Sequence, residues 1–156
     1  MKKVVLVFLF AVMTVGGVFA QQGASSVGLS VGYALDSDNT TVGIDYRYNV
    51  SDDVRIAPSL THFMKHGGMS AWALDFNAHY VVKLDPSFGF YPLGGVNLTF
   101  FDWVNGYDTV SRLGLNIGLG GEVYASRELT VGLEMKYNLI KDFDQALAAV
   151  RIAYNF

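Results

Sequence analysis

Catalysis needs a nucleophile beside an oriented base, a set of metal ligands, or a cradle for phosphate, and the sequence is thin in all three. Its three histidines are His62, His66 and His79. Alternation puts His62 and Ser59 on opposite faces of one segment, and leaves His79 on the same face as Asp75. Gly118-Leu119-Gly120-Gly121 looks like part of a phosphate loop, but no helix follows to supply an N-terminal dipole. The acidic stretches Asp36 to Asp38 and Asp142 to Asp144 lack the ligand spacing of an EF-hand. With no cysteine there is no disulfide, thiolate metal site or lipidated anchor. No catalytic, cofactor or metal residues are assigned. What stands out is a set of charges confined to one side of an alternating pattern: Asp45, Arg47, Arg55, Asp75, Lys83, Arg112, Glu122, Glu134, Lys136 and Arg151. Six bases facing four acids, with His79 and Asn77 among them, predict an ion-paired interior in which each buried charge needs a partner.

The elements that must position these groups are β-strands. Leu129, Val131, Leu133, Met135, Tyr137 and Leu139 interleave with Thr130, Gly132, Glu134, Lys136 and Asn138, and a period of two means a strand with two unlike faces. The same holds for residues 41–50, 71–83, 112–123 and 148–156, and less tightly for 27–35, 54–64 and 88–101. The reading is an all-β, eight-stranded, antiparallel up-and-down transmembrane β-barrel. Pro58 and Pro92 fall inside strands and each removes a ladder donor, so local β-bulges are expected there, aided by Gly94 and Gly95, with a one-residue shift of faces beside each.

An eight-stranded soluble calyx also alternates, with its apolar face inward. Charge decides between them. A charged fraction of 16% would put roughly eight charges on the roughly 48 apolar-face positions by chance, and there are none. The opposite face is too poor in charge for a soluble exterior and carries Gly28, Gly32, Gly43, Gly114, Gly118, Gly120 and Gly132, small residues suited to a crowded lumen. The apolar face therefore points into lipid. Lys2 and Lys3 before the apolar run Val4 to Val12, and the small-residue end at Ala20, read as a cleavable export signal over residues 1–20. The barrel domain then occupies 21–156, about 17 residues per strand and turn.

The turns suggest sidedness. Ser51 to Asp53, Asp85 to Ser87 and Ser126 to Glu128 are tight and polar, as periplasmic turns are, whereas the connections near 36–40, 65–70, 102–111 and 141–145 are equal or longer. Two aromatic levels follow on the lipid face: Tyr33, Trp72, Phe100 and Tyr137 near the outer interface, and Tyr48, Tyr80, Phe88, Phe90, Tyr154 and Phe156 near the inner one. Trp103, Asn105 and Tyr107 in the longest external loop are the candidate surface contact. Without residues 1–20 there are 9 bases against 14 acids, and assigning six bases and four acids to the lumen leaves acidic rims. A nucleic-acid partner is disfavoured. The expected surroundings are outer-membrane lipid and lipopolysaccharide, with the chain as a monomer.

On these residues the chain resembles the small eight-stranded outer-membrane barrels, the OmpA-like and OmpX-like group. Phe156, with Tyr154, Ile152 and Val150 on the same face, resembles the terminal signal that the barrel-assembly machinery reads in that family. The resemblance implies a Gram-negative outer membrane and a structural or surface-interaction role without catalysis. The alternatives are a narrow channel, a lipid-modifying enzyme, or a soluble periplasmic calyx. A deacylating barrel resembles a His-x-Ser pair on one strand, and here Met64, Gly68 and Val81 stand two residues after the three histidines. Nothing follows the barrel that could serve as a peptidoglycan-binding domain, so a cell-wall tether is not expected.

Overall fold

In the computed structural model residues 23–103, 106 and 108–156 are described; the expected leader, Asn105 and Tyr107 lie outside them. The strands are β1 Ser25–Ala34, β2 Asn39–Asn49, β3 Val54–His66, β4 Met69–Tyr80, β5 Val82–Asp85, β6 Phe88–Trp103, β7 Val110–Tyr124, β8 Leu129–Ile140 and β9 Gln145–Asn155. β4 and β5 form one stave interrupted at Val81, so eight staves make the wall. Each pairs antiparallel with its neighbours in sequence, and β1 pairs with β9 to close it. At that seam the Phe156 N–H donates to the Ser25 carbonyl at 2.9 Å, and the Ser25 N–H returns to Phe156 at 3.3 Å. Closure leaves no open edge to satisfy, which is what a sheet in hydrocarbon requires.

Alternation sets the two surfaces. Leu29, Leu113 and Ile117 are 65%, 73% and 61% exposed on the outside. Their neighbours Gly28, Gly114 and Asn116 are buried in the bore. Leu133 likewise points outward, while Glu134 takes part in ion pairing inside. The start of β1 and the end of β9 lie at one end, called here the terminal end. At the opposite, far end the connections are 35–38, 67–68, 104–109 and 141–144, against 50–53, 86–87 and 125–128 at the terminal end. Only the six-residue 104–109 loop is longer than all the terminal-end turns. The Gly67-Gly68 turn has φ of +60° and +85°, a conformation that strongly favours glycine at both centres of a two-residue hairpin.

The prolines do not make bulges. The β2–β3 register is the same on both sides of Pro58, where the ladder skips the positions opposite Tyr46 and Arg47, and the β3–β4 ladder runs through Pro58 unbroken. Pro92 stays in continuous register with β7, and on its other side the ladder pauses between His79–Leu93 and Val82–Phe90 without slipping. An antiparallel residue directs its N–H to one neighbour only, so each proline costs bonds on one side and leaves the faces unchanged. Arg55 and the stretch Asn97 to Phe101 therefore keep simple parity. The register does shift near both ends of the wall, between Phe63 and His66 and between Lys83 and Asp85.

Candidate functional site

Side chains occupy most of the bore and leave a cavity of about 60 Å³ bordered by Asp45, Arg47, Asn77, His79, Glu134 and Lys136; Tyr91 is fully buried among them. From β6 it lies opposite Gly120 of β7. A Cβ at position 120 would collide with the tyrosine ring, so the glycine makes room for it. His79 stacks on that ring with centroids 4.5 Å apart and planes 8° apart, and the guanidinium carbons of Arg47 and Arg55 lie 5.1 and 4.8 Å from its centroid. The phenol donates to Glu134 at 2.8 Å and accepts from Arg47 at 3.1 Å.

Around this ring the charges meet across the bore. Arg47 of β2 donates to Glu134 of β8 at 2.9 Å and to Glu122 of β7 at 3.3 Å; its Nε is 3.3 Å from Asp45 as an ion pair without hydrogen-bond alignment. Arg55 of β3 grips both oxygens of Glu122, at 2.8 and 3.3 Å, and its Nε donates to His79 Nδ1 at 3.2 Å, which puts the ring proton on Nε2. Tyr124 also donates to Glu122, at 2.8 Å. Arg151 of β9 binds Asp45 through Nε at 2.7 and 2.9 Å and through Nη2 at 2.6 Å, with Ser26 at 3.1 Å; its guanidinium fills the space a Cβ at Gly28 would take. Nearer the middle of β4, Asp75 accepts from Lys136 of β8 at 2.6 Å and from Asn116 at 3.0 Å, and Asn116 goes on to Asn77 and Asn97.

Two expected members of this network lie outside it. Lys83 is exposed on β5 beyond the interruption at Val81, and Arg112 is exposed toward the far rim, where it reaches the Ser111 carbonyl at 3.4 Å. Both have the inward parity, but the wall has run past the closed part of the bore at those depths. Without them the interior holds Arg47, Arg55, Lys136 and Arg151 against Asp45, Asp75, Glu122 and Glu134, a formal balance of zero. Paired neutrality is what burial of charge demands.

Sequence reasoning missed Tyr91 and an apolar plug at the far end. Ala34, Phe63, Ala71, Ala73, Phe101 and Leu147 form a buried cluster inside the bore, with Met69 and the loop residue Phe143 packed on it. Phe101 and Phe143 stack at 4.5 Å. Their inward parity was the available signal; the expectation of a polar lumen hid it.

The other expected residues are placed as follows. Tyr33, Trp72, Tyr80, Phe90, Phe100, Tyr137, Tyr154 and Phe156 are exposed on the outside, with Tyr48 and Phe88 half-buried there. Val150, Ile152, Tyr154 and Phe156 share the outer face of the β9 stave. Trp103 ends β6, exposed. His62 lies against Trp72 at 4.3 Å, and His66 is exposed at the end of β3. Among the described residues no histidine is hydrogen-bonded to a serine, and no group of three His, Cys, Asp or Glu is placed to hold a metal.

The wall is thus a closed barrel, apolar outside and charge-lined within. The model of the outer membrane protein β-barrel domain matches residues 7–156. The chain belongs to that family. As an outer-membrane barrel it has fold neighbours of the same kind. The N-terminal β-barrel domain of Pseudomonas aeruginosa OprF is 16% identical and superposes with a TM-score of 0.73 over 86% of this chain and 98% of that one. Ail, the attachment invasion locus protein of Yersinia pestis, is 16% identical with a TM-score of 0.60, over 87% and 100%. OprG of P. aeruginosa is 13% identical with a TM-score of 0.63, over 87% and 97%. At these identities the likeness is one of fold. A search by sequence among curated proteins finds no match.

Proposed function

We propose that this outer-membrane barrel is a plugged, monomeric element of the membrane whose work is structural or at its surface rather than catalytic or conductive. The observation that carries the reading is Arg47, which crosses the bore from β2 to Glu122 and Glu134 while Tyr91 fills the space between them. Opening a path for ions would require breaking charge-assisted bonds in a low dielectric, each worth about 1.5–3 kcal/mol. Fully paired interior charges also leave none free to act as an acid or base on a lipid.

In this reading residues 1–20 direct export and are removed, and 21–156 form the domain. Val150, Ile152, Tyr154 and Phe156 are the assembly signal, the outer aromatics anchor the two interfaces, and the far end faces outward with Trp103 and the adjoining loop as the contact surface toward lipopolysaccharide or a partner. Ail has been crystallised with the heparin analogue sucrose octasulfate. The far rim here carries Asp36, Asp38, Asp102, Asp108, Asp142 and Asp144 against Lys65, Arg112 and Lys141. That sign does not favour direct ion pairing with a polyanion, so contact with anionic lipopolysaccharide runs through divalent cations or hydrogen bonds.

The test is electrical. Folded protein in a planar bilayer is expected to give no stable conductance steps, and well-defined single-channel openings would overturn the plugged reading.

A further inference from the structure

Two voids lie on either side of the far-end plug. Above it, between the β1–β2 and β8–β9 turns, is a recess of about 200 Å³ bordered by Phe63, Ala71, Phe101 and Phe143. Below it is the cavity of about 60 Å³ in the bore, whose upper wall includes Thr41, Leu147 and Ala149. No residue lines both. What parts them is the apolar cluster, and it is thin: the next inward residue below Phe101 on β6 is already Thr99, and below Phe63 on β3 it is Thr61.

An aromatic ring in a close-packed core has nowhere else to go, because such cores hold few voids larger than a water molecule. Phe101 does have somewhere to go. It is only 3% exposed, yet it borders the recess. An apolar cavity of about 150 Å³ holds a benzene molecule. The 200 Å³ recess can therefore take the Phe101 ring, and the 60 Å³ cavity beneath cannot. Volume fixes the direction of movement, which is out of the plug toward the far end.

Phe143 stands in the way. Its ring stacks on Phe101 with centroids 4.5 Å apart and planes 27° apart. Unlike the plug residues, it belongs to no stave. The 141–144 turn carries it, folded by Asp142 in the left-handed region at φ +69° and tied by the Phe143 N–H to the Ile140 carbonyl and the Ile140 N–H to Asp144, both at 2.8 Å. A ring on a turn can lift without breaking any strand pairing.

We infer that Phe143 is a lid and Phe101 the gate it holds shut: when the turn lifts, Phe101 swings into the recess and the cavity below opens to solvent at the far end. Arg47 and Glu134 border that cavity and pair with each other across the bore. The gate thus opens onto a blind chamber, and passage through the barrel stays closed.

The chain has no cysteine, so Ala149→Cys puts a single thiol in the cavity wall. The probe is methyl methanethiosulfonate, which transfers its methylthio group to the thiolate and releases methanesulfinate. Labelling of the folded full chain in detergent micelles is followed over time by mass spectrometry. Adding Phe143→Ala is expected to speed it roughly three- to tenfold, the scale of losing one aromatic contact, and Phe101→Ala to speed it further. Leu133→Arg, which weakens the barrel from its outer face and leaves the lid alone, is expected to label at the parent rate. Heat-modifiable gel migration verifies the fold of each. No acceleration by Phe143→Ala or by Phe101→Ala, or a Leu133→Arg rate equal to that of Phe143→Ala, would overturn the lid. In a planar bilayer Phe143→Ala is expected to give no conductance steps; steps there, with labelling still accelerated, would overturn the plugged reading and uphold the lid, so the two fail separately.

Discussion

Replacing Glu122 by glutamine takes one charge from one of the two most enclosed carboxylates in the bore. Glu122 is 1% exposed and accepts from Arg55 at 2.8 and 3.3 Å, from Arg47 at 3.3 Å and from Tyr124 at 2.8 Å. A glutamine keeps one acceptor oxygen but turns an NH₂ toward a guanidinium, so at least one arginine contact becomes donor against donor. The interior then holds four bases and three acids. Breaking a buried pair by removing one partner costs about 3–5 kcal/mol, and Glu122→Gln is expected in that range. The stronger test is the double change Glu122→Gln with Arg55→Met, which restores three against three and substitutes an apolar side chain for the stranded cation. Each single change is expected to cost about 3–5 kcal/mol, and the pair together less than their sum by about 3 kcal/mol or more. Urea unfolding in lipid vesicles, followed by tryptophan fluorescence and gel migration, supplies the four corners of the cycle. A single-variant cost below about 1 kcal/mol, or additive costs, would refute the claim that charge neutrality holds the bore together.

Further expectations use the same unfolding measurement unless stated. Lys83→Ala and Arg112→Ala are expected within about 0.5 kcal/mol of wild type, whereas Arg47→Ala falls with Glu122→Gln; this separates inward parity from true enclosure. Gly120→Ala is expected to cost about 1–3 kcal/mol because the added methyl meets Tyr91, while Gly121→Ala, whose methyl meets Phe88 at an ordinary 3.4 Å, is near neutral. Leu133→Arg on the outer face is expected to cost about 2–4 kcal/mol in a bilayer, and an unchanged stability there would argue against lipid at that surface. Pro58→Val supplies the missing donor opposite Tyr46, and hydrogen exchange is expected to show the new amide protected.

Much of the wall was legible because a two-residue period is a direct consequence of the pleat. Ile117, Leu133 and Ile152 on one side and Glu122, Glu134 and Arg151 on the other follow from parity alone. Depth did not follow, because parity gives a direction and says nothing of how far along the axis a residue sits. Lys83 and Arg112 point the right way and lie past the ends of the network. The prolines were misread for a different reason. A bulge is one answer to a lost donor, but at Pro58 and Pro92 the ladder drops pairs on one side and keeps its register. Tyr91 was hidden between Phe90 and Pro92, where apolar character on both faces erases the alternation. Phe63, Phe101 and Leu147 point inward as parity says, yet an apolar layer within a polar bore has no local signature. It arises from residues on β3, β6 and β9 that only closure brings together.

Five of the six ion pairs among the described residues join a side chain from β1–β4 to one from β6–β9: Arg47 with Glu122 and with Glu134, Arg55 with Glu122, Lys136 with Asp75, and Arg151 with Asp45. Within β1–β4 only Arg47 and Asp45 pair with each other, and within β6–β9 no ion pair forms among the described residues. A curl of four staves presents bare guanidinium and carboxylate groups to whatever medium surrounds it, and only the arrival of the other four silences them. Zipping the seam and quenching the interior field are thus a single event, which ties insertion into oil to completion of the whole circumference.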